Sequence, residues 1–408
     1  MSAAAEPRPF SVGQLVLLAC LGGIAPLGID IYLASVPDVA SDLGTSASAV
    51  QLTLTGFMIG LAIGPLVIGP ISDRFGRYRL LVGGVVALFA SSILCALAPT
   101  VETLIAARII QGFCGSIAMT LCRALVADVV SGAAAARIYS LLSTVMGIAP
   151  IIVPVLGGAI QQWGHWRGVF WALAVISGLL AIGTLLLLRE TLPPERRQTG
   201  GLAAMAANFA RIVRDGRYVG FALALAFNSG ALFAYISASP FVVQGILGFS
   251  PFAFSLAFAV NALGMTAAAA ASAALTERIG PLRLTWFGTA CVIAGASGLA
   301  IAAAAGTPKA AILLPAMFLI PTGAGFMLGN TTALAIETVG YAAGTALAVI
   351  GFLQFGMSAL VAPLVGLAGP ESIVPLAVVA ATCAVLLTVS VFAGSRIAQQ
   401  RTSSRRED

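Results

Sequence analysis

Apolar residues run along this chain in long blocks separated by short polar punctuation. A helix needs about 20 mainly apolar residues to cross a bilayer. Twelve blocks meet that need, at 12–36, 48–72, 79–98, 101–126, 136–160, 166–188, 217–243, 251–275, 283–305, 310–335, 343–367 and 373–394. A backbone in lipid must satisfy its own hydrogen bonds, so each block predicts a helix. The pattern predicts an all-α membrane protein of twelve transmembrane helices. Ser250 followed by Pro251 supplies an N-cap and a preset first residue for the eighth helix, and Ser48 is expected to cap the second.

One long polar stretch, 189–216, separates six blocks from six. It divides the chain into an N-terminal six-helix bundle (1–190), a linker (191–216), a C-terminal six-helix bundle (217–396) and a tail (397–408). Residues 201–214 read as an amphipathic helix lying on the membrane surface. The two halves also repeat. Asp73, Gly76 and Arg79 follow the second block as Glu277, Gly280 and Arg283 follow the eighth, at a constant offset of 204. A repeat at the same topological place predicts two pseudo-symmetric bundles that rock about a central site.

Composition agrees. Apolar residues make up 59% and charged residues 9%, against roughly 25% charged in a soluble domain. The net charge of +6 does not mark a nucleic-acid binder, because the basic residues sit in short clusters between apolar blocks. Seventeen of the 21 basic residues fall in the N-terminal tail, the loops on its side and the C-terminal tail. Arg167 and Lys309 fall on the opposite side, and Arg108 and Arg123 lie within the fourth block. By the positive-inside rule both termini and the linker are expected in the cytoplasm. The polar start, MSAAAEPRPF, carries no cleavage pattern, so the first block is expected to remain as a span.

Six cysteines lie in apolar segments with neither metal nor disulfide spacing, and His165 is the only histidine. No phosphate-binding loop is present. An enzyme and an ATP-driven pump are therefore disfavoured, and no metal or cofactor is expected. The expected partners are the lipid bilayer, a small molecule and protons, with no nucleic acid. Two fused bundles predict a monomer.

Asp30 is the one acid deep in an apolar block. Such a residue costs about 2.5–3.5 kcal/mol on insertion scales and is a functional candidate by default, a structural ion pair being the alternative. Arg108, on the fourth helix, lies at a comparable depth. A contact between them is geometrically possible, and burial and a nearby cation act on a carboxyl in opposite senses. These two are the candidates for proton coupling. Tyr32, Gln111, Asn228, Tyr235, Asn261, Asn330 and Gln354 are candidate cargo contacts, with bridging between helices as the alternative. An acid facing an arginine predicts a nearly neutral cavity and neutral or zwitterionic amphipathic cargo.

Gly69-Pro-Ile-Ser-Asp73-Arg74-Phe-Gly76-Arg77-Tyr-Arg79 resembles the loop signature of the major facilitator superfamily, with Tyr78 at a usually basic position. Arg108-Ile-Ile-Gln111-Gly112 resembles that superfamily's helix-four motif. Pro154-Val-Leu-Gly157-Gly158 resembles the antiporter motif of its drug exporters, with Val153 and Ala149 at usual glycine positions. Gly28-Ile-Asp30-Ile-Tyr32, Met146-Gly-Ile-Ala-Pro150, Glu190-Thr-Leu-Pro-Pro-Glu195 and Ser239-Pro240-Phe241 resemble the Bcr/CflA-type drug:proton antiporters. The resemblance implies the superfamily fold, proton-coupled efflux of drugs such as amphenicol- or bicyclomycin-like compounds, and a bacterial inner membrane. It also implies a gate at Gly69, Asp73, Arg74, Gly76 and Arg77, with Asp73 closing against the start of helix eleven near Gly344. Pro154, Gly157 and Gly158 suit a rocking interface, since proline bends a helix and glycine admits a close neighbour. Arg123 and Asp128 close the fourth helix on the side of the termini and are expected to pair with Arg137 or Asp73.

Overall fold

The computed structural model describes residues 10–130, 132–193, 207, 209–306, 309–369 and 371–407. Arg8, Glu195, Arg196, Arg197 and most of the expected surface helix over 201–214 lie outside them; 209–212 are helical.

Among the described residues, eleven helices are long and apolar enough to span a membrane, and a shorter apolar helix completes the set. They are α1 (Val12–Leu33), α2 (Ala47–Phe75), α3 (Arg77–Ala96), α4 (Val101–Val129), α5 (Met146–Gln161), α6 (His165–Leu187), α7 (Gly216–Ile246), α8 (Pro251–Ile279), α9 (Pro281–Ala304), α10 (Ala310–Ile336), α11 (Gly340–Gly366) and α12 (Val374–Arg396). The chain is a multi-pass, all-helical membrane protein. Each expected block recurs as a helix, with ends displaced by a few residues except at the fifth, expected from 136, whose apolar helix begins at Met146 within a longer helical run.

The helices α5 and α6 belong to one helical run, Gly132–Leu187, of 56 residues. A straight run of that length would measure about 84 Å, far more than a hydrocarbon core of about 30 Å. It reverses instead at His165, whose φ of 52° is left-handed. The reversal is pinned to the short helix Val36–Asp42. Gln161 Nε2 donates to Asp38 (2.5 Å), while Trp166 Nε1 (2.9 Å) and Arg167 Nη1 (2.5 Å) donate to Asp42.

Ser250 caps α8 as expected, its hydroxyl accepting the Ala253 N–H at 3.2 Å. Ser48 does not cap α2. Ser46 keeps the extended backbone of a cap (φ −77°, ψ 154°), and its hydroxyl accepts from Ala49. Ser48 is already inside the helix and donates to the Pro363 carbonyl (3.3 Å).

The repeat has a matching geometry. Gly76 (φ 98°) and Gly280 (φ 87°) each end one helix and begin the next in a backbone conformation that only glycine adopts freely. Their N–H groups bond back to Ser72 (3.0 Å) and Thr276 (2.9 Å), again 204 residues apart. The connection between α2 and α3 is thus a single glycine. Gly69, Asp73 and Arg74 lie on the last turns of α2 rather than in a loop, because the helix continues to Phe75.

Helices α1–α6 pack mainly on one another, as do α7–α12. Two seams join the halves, α2 on α11 and α5 on α8. The repeat relates α2 to α8 and α5 to α11, so the seams are equivalent under it. At the end away from the termini the halves are joined tightly, by the α2–α11 seam and by α7 against α1 and α2. Thr55 Oγ1 donates to Ala359 O (3.0 Å), Gln51 Nε2 to Ser237 O (3.3 Å) and Gln244 Nε2 to Ala34 O (3.1 Å). At the terminal end the ionic contacts among the described residues stay within each half, such as Arg217 with Glu337 (2.5 Å).

Candidate functional site

The two candidate charges occupy different environments. In the first half, α2 and α4 cross almost backbone to backbone: a Cβ on Gly112 would lie 2.1 Å from the Phe57 carbonyl oxygen. That crossing lays the Phe57 ring over Arg108, with the guanidinium carbon 4.1 Å from the ring centre; Tyr32 and Phe170 follow at 5.1 and 5.7 Å. Arg108 Nη1 donates to the Gly28 carbonyl (3.0 Å) and to Gln111 Oε1 (2.6 Å). Gln111 donates onward to Ser92 (2.8 Å), and the Tyr32 hydroxyl pairs with Thr53 (3.1 Å). All four of Arg108, Gln111, Tyr32 and Phe57 are buried within the first six helices. Tyr32 and Gln111 therefore position Arg108 and do not reach the seam.

Asp30 does not join this cluster. Gly28, which Arg108 grips, and Asp30 are two residues apart on α1, about 200° around the helix. The carboxyl consequently faces away from Arg108 and toward the second half. It is 6% exposed, and among the described residues it accepts no hydrogen bond and makes no ion pair. It lies near Tyr235 of α7. The Tyr235 hydroxyl accepts from Asn261 Nδ2 (2.8 Å), and its ring stacks on Phe258 at 5.8 Å and 12°. Asn228 lies two turns back on the same face of α7, wholly buried, and neither amide atom has a protein partner.

Asp30, Tyr235 and Asn261 are thus brought together, with Asn228 beside them. The other polar candidates are not. Asn330 Nδ2 donates to Ser272 Oγ (2.6 Å) and Phe326 O (2.9 Å), and its Oδ1 accepts from Thr276 (3.0 Å). It ties α10 to α8 inside the second half. Gln354 bonds Ser229 (3.2 Å) between α11 and α7.

At the terminal end Arg77 is the hub. It pairs with Asp73 (2.6 Å) and Asp128 (3.2 Å) and bonds the Ser72 hydroxyl. Asp128 meets Arg77 and Thr191 (2.9 Å) and Arg123 meets Met146 Sδ (3.7 Å), rather than the expected Arg137 and Asp73. Glu190 accepts from the N–H groups of Arg77 (2.9 Å) and Tyr78 (3.4 Å), placing an anion at the start of α3. Asp73 is engaged with Arg77 at the start of α3 here, and Arg74 lies beside Phe75 (5.3 Å). Glu190 belongs to a motif quoted from the sequence, but its contact spans 113 residues, and no local pattern announces it.

The adjacent glycines of α5 serve two neighbours. A Cβ on Gly157 would lie 2.2 Å from the Ile31 carbonyl oxygen, next to Asp30, and one on Gly158 would lie 2.4 Å from Ser255 Oγ of α8. Pro154 lies inside the same helical run. Sequence reasoning missed Gln51, Gln244 and Gly366, which close the far end. A Cβ on Gly366 would lie 2.1 Å from Gln51 Oε1.

A family model described as Major Facilitator Superfamily matches residues 18–363. The chain belongs to this superfamily. A relative named as an uncharacterized MFS-type transporter, YdgK, of Bacillus subtilis (strain 168) is 35% identical over 378 residues, covering 92% of this chain and 94% of that protein. A bicyclomycin resistance protein homolog of Haemophilus influenzae is 28% identical over 385 residues, covering 93% and 95%. The crystal structure of the nucleoside transporter NupG superimposes with a TM-score of 0.73 at 14% identity, covering 94% of this chain and 98% of that one. That likeness supports the twelve-helix superfamily fold in two pseudo-symmetric bundles.

Proposed function

We propose that this transporter exports small amphipathic molecules in exchange for protons, by alternating access about the α2–α11 and α5–α8 seams. The observation that carries the reading is the lone carboxyl of Asp30, buried between the halves with no partner among the described residues. An unpaired acid at that depth is costly, so it is expected to hold either a proton or a cargo group. Tyr235, Asn261 and Asn228 supply the facing wall. Arg108 fixes α1 through the Gly28 carbonyl and so sets the direction in which Asp30 points. The name of the bicyclomycin resistance homolog and the antiporter-like motifs support efflux of drugs.

The charge asymmetry supports cytoplasmic termini, and the bacterial relatives support an inner membrane. The tight end is then the outer one. Asp73, Arg74, Arg77 and Gly69 with Gly76 form the inner gate, whose members are held within the first half in this state.

The test is substrate-induced proton release. Purified protein in weak buffer at a pH of about 7 is mixed with a drug panel, beside Asp30→Asn. Release by the wild type alone is the expected result. Drug binding without release by either protein would support a proton-independent facilitator of the same fold.

A further inference from the structure

Away from both seams, α9 and α12 enclose a groove of about 390 Å³ on the second half. Its floor is the buried pair Ala296 and Ala384, and Ile293, Ser297, Val385 and Val389 stand exposed along it. The repeat shows why it is open. On α3, 204 residues earlier, Ile293 and Ser297 are matched by Phe89 and Ile93. The Phe89 ring packs onto α6, where a Cβ on Gly178 would lie 3.3 Å from it. The second half has lost that bulk, and the space remains.

The groove has a charged end. Val385, Val389, Phe392 and Arg396 follow one another at intervals of three or four, so they share one face of α12. The Arg396 guanidinium lies over the Phe392 ring, 4.6 Å from its centre. Arg283 lies on the first turn of α9, at the same end of the bundle. Both arginines are exposed, and neither makes an ion pair among the described residues. Val389 is seven residues from Arg396 and Ile293 is ten from Arg283, about 10 and 15 Å along the helices. Half of a hydrocarbon core is about 15 Å. The apolar groove therefore lies at acyl-chain depth, and the two cations lie at headgroup level.

An aliphatic chain in such a groove gains contacts along its length, and guanidinium groups pair strongly with phosphate. Basic residues between helices at a cytoplasmic surface are a known setting for anionic headgroups. We propose that the α9–α12 groove is a site for an anionic phospholipid, one acyl chain lying on Ala296 and Ala384 and the phosphate held by Arg396 and Arg283. The site is separate from the cargo path and does not depend on the direction or coupling of transport.

The experiment is native mass spectrometry of the purified full chain in neutral detergent. It is titrated with palmitoyl-oleoyl phosphatidylglycerol, with phosphatidylcholine of the same chains, and with glycerol phosphate. The wild type is expected to bind phosphatidylglycerol at least about fivefold more tightly than phosphatidylcholine, and glycerol phosphate not measurably. Arg283→Gln with Arg396→Gln should bring the two lipids to equal affinity. Ser297→Phe, which restores bulk to the groove, should weaken both lipids alike. Equal affinities in the wild type would overturn the proposal, whatever the variants do. So would a preference that survives loss of both arginines, or unchanged lipid binding in Ser297→Phe. A dimer without retained lipid, dispersed by Ser297→Phe, would assign the groove to a second copy of the chain and also overturn it.

Discussion

Arg108 and Asp30 are both buried charges near the same end of the molecule, yet their surroundings differ. The interior of the first half provides Arg108 with a carbonyl, an amide and three ring faces. The seam provides Asp30 with nothing formally charged. The glycines show the same contrast. Gly112 lets two backbones of one half nearly touch, whereas Gly366 faces a side chain, Gln51, across the seam. Within a half, buried polarity is spent on fixing one arrangement. Between the halves Asp30 is left without a polar partner among the described residues, whereas Arg108, whose Nε and Nη2 lack hydrogen-bond acceptors, is faced by three rings.

The sharpest way to break this comparison is at the glycines. Gly112→Ala drives a Cβ into the Phe57 carbonyl, an immovable backbone atom. It is expected to cost at least about 3 kcal/mol and to abolish monodisperse protein. Gly366→Ala meets the far end of a glutamine. It should fold, and spin-label distances across the far end of the seam should widen. If both variants fail to fold alike, the seam is as rigid as the interior and the contrast collapses.

Next come the charges. Arg108→Ala strands Gln111 and the Gly28 carbonyl and leaves a cavity, for an expected loss of about 2–5 kcal/mol in thermal unfolding. Arg108→Met keeps the volume and should recover most of it. Asp30→Asn should leave the melting temperature unchanged or raised while transport driven by a pH gradient falls to background. A strongly destabilised Asp30→Asn would show that the carboxyl is a structural partner after all.

A smaller effect is expected at Asn228, whose amide is buried without a protein partner. Asn228→Leu removes that penalty and should raise the melting temperature by about 2–4 °C. Its cargo affinity should fall. No change in affinity would remove Asn228 from the site.

The smallest effect belongs to the far-end turn. The hydrogen bond from Arg167, followed by that from Trp166, holds the Asp42 carboxyl below its usual range. A lowered carboxyl stabilises the folded state above the ordinary carboxylate pKa and loses that contribution as pH falls through the lowered value. The contribution of the Asp42 carboxyl should therefore be fully present above about pH 5 and be lost only below about 3.9. The pair is exposed, so Asp42→Asn should shift the melting temperature by no more than about 2 °C. A midpoint near neutrality would contradict this assignment.

Much of the fold was legible in the sequence because lipid imposes a simple demand, apolar length. The twelve blocks, the Ser250 cap and the Gly76–Gly280 repeat each rest on local chemistry, and each recurs in space. Ser48 misled because a cap is defined by backbone direction, and the chain turns at Ser46. The site was legible in part. Asp30 stood out by cost alone, and Tyr235 and Asn261 by polarity in an apolar block. Asn330 had the same signal, yet it bridges α8 and α10, since polarity does not say which neighbour a side chain meets. Gln51, Gln244 and Gly366 gave no signal, because their partners lie far away in the sequence.

By itself, then, the sequence determined a twelve-span, twice-repeated membrane protein with one acid misplaced in lipid, since hydropathy, helix rise and charge are summed along the chain. Only the tertiary structure decided that Arg108 and Asp30 do not meet. A two-residue separation turns a helix by about 200°, and the crossing of α2 with α4 chose which of those faces Arg108 holds. Depth along a helix can be counted from residues; direction around it depends on what packs against it.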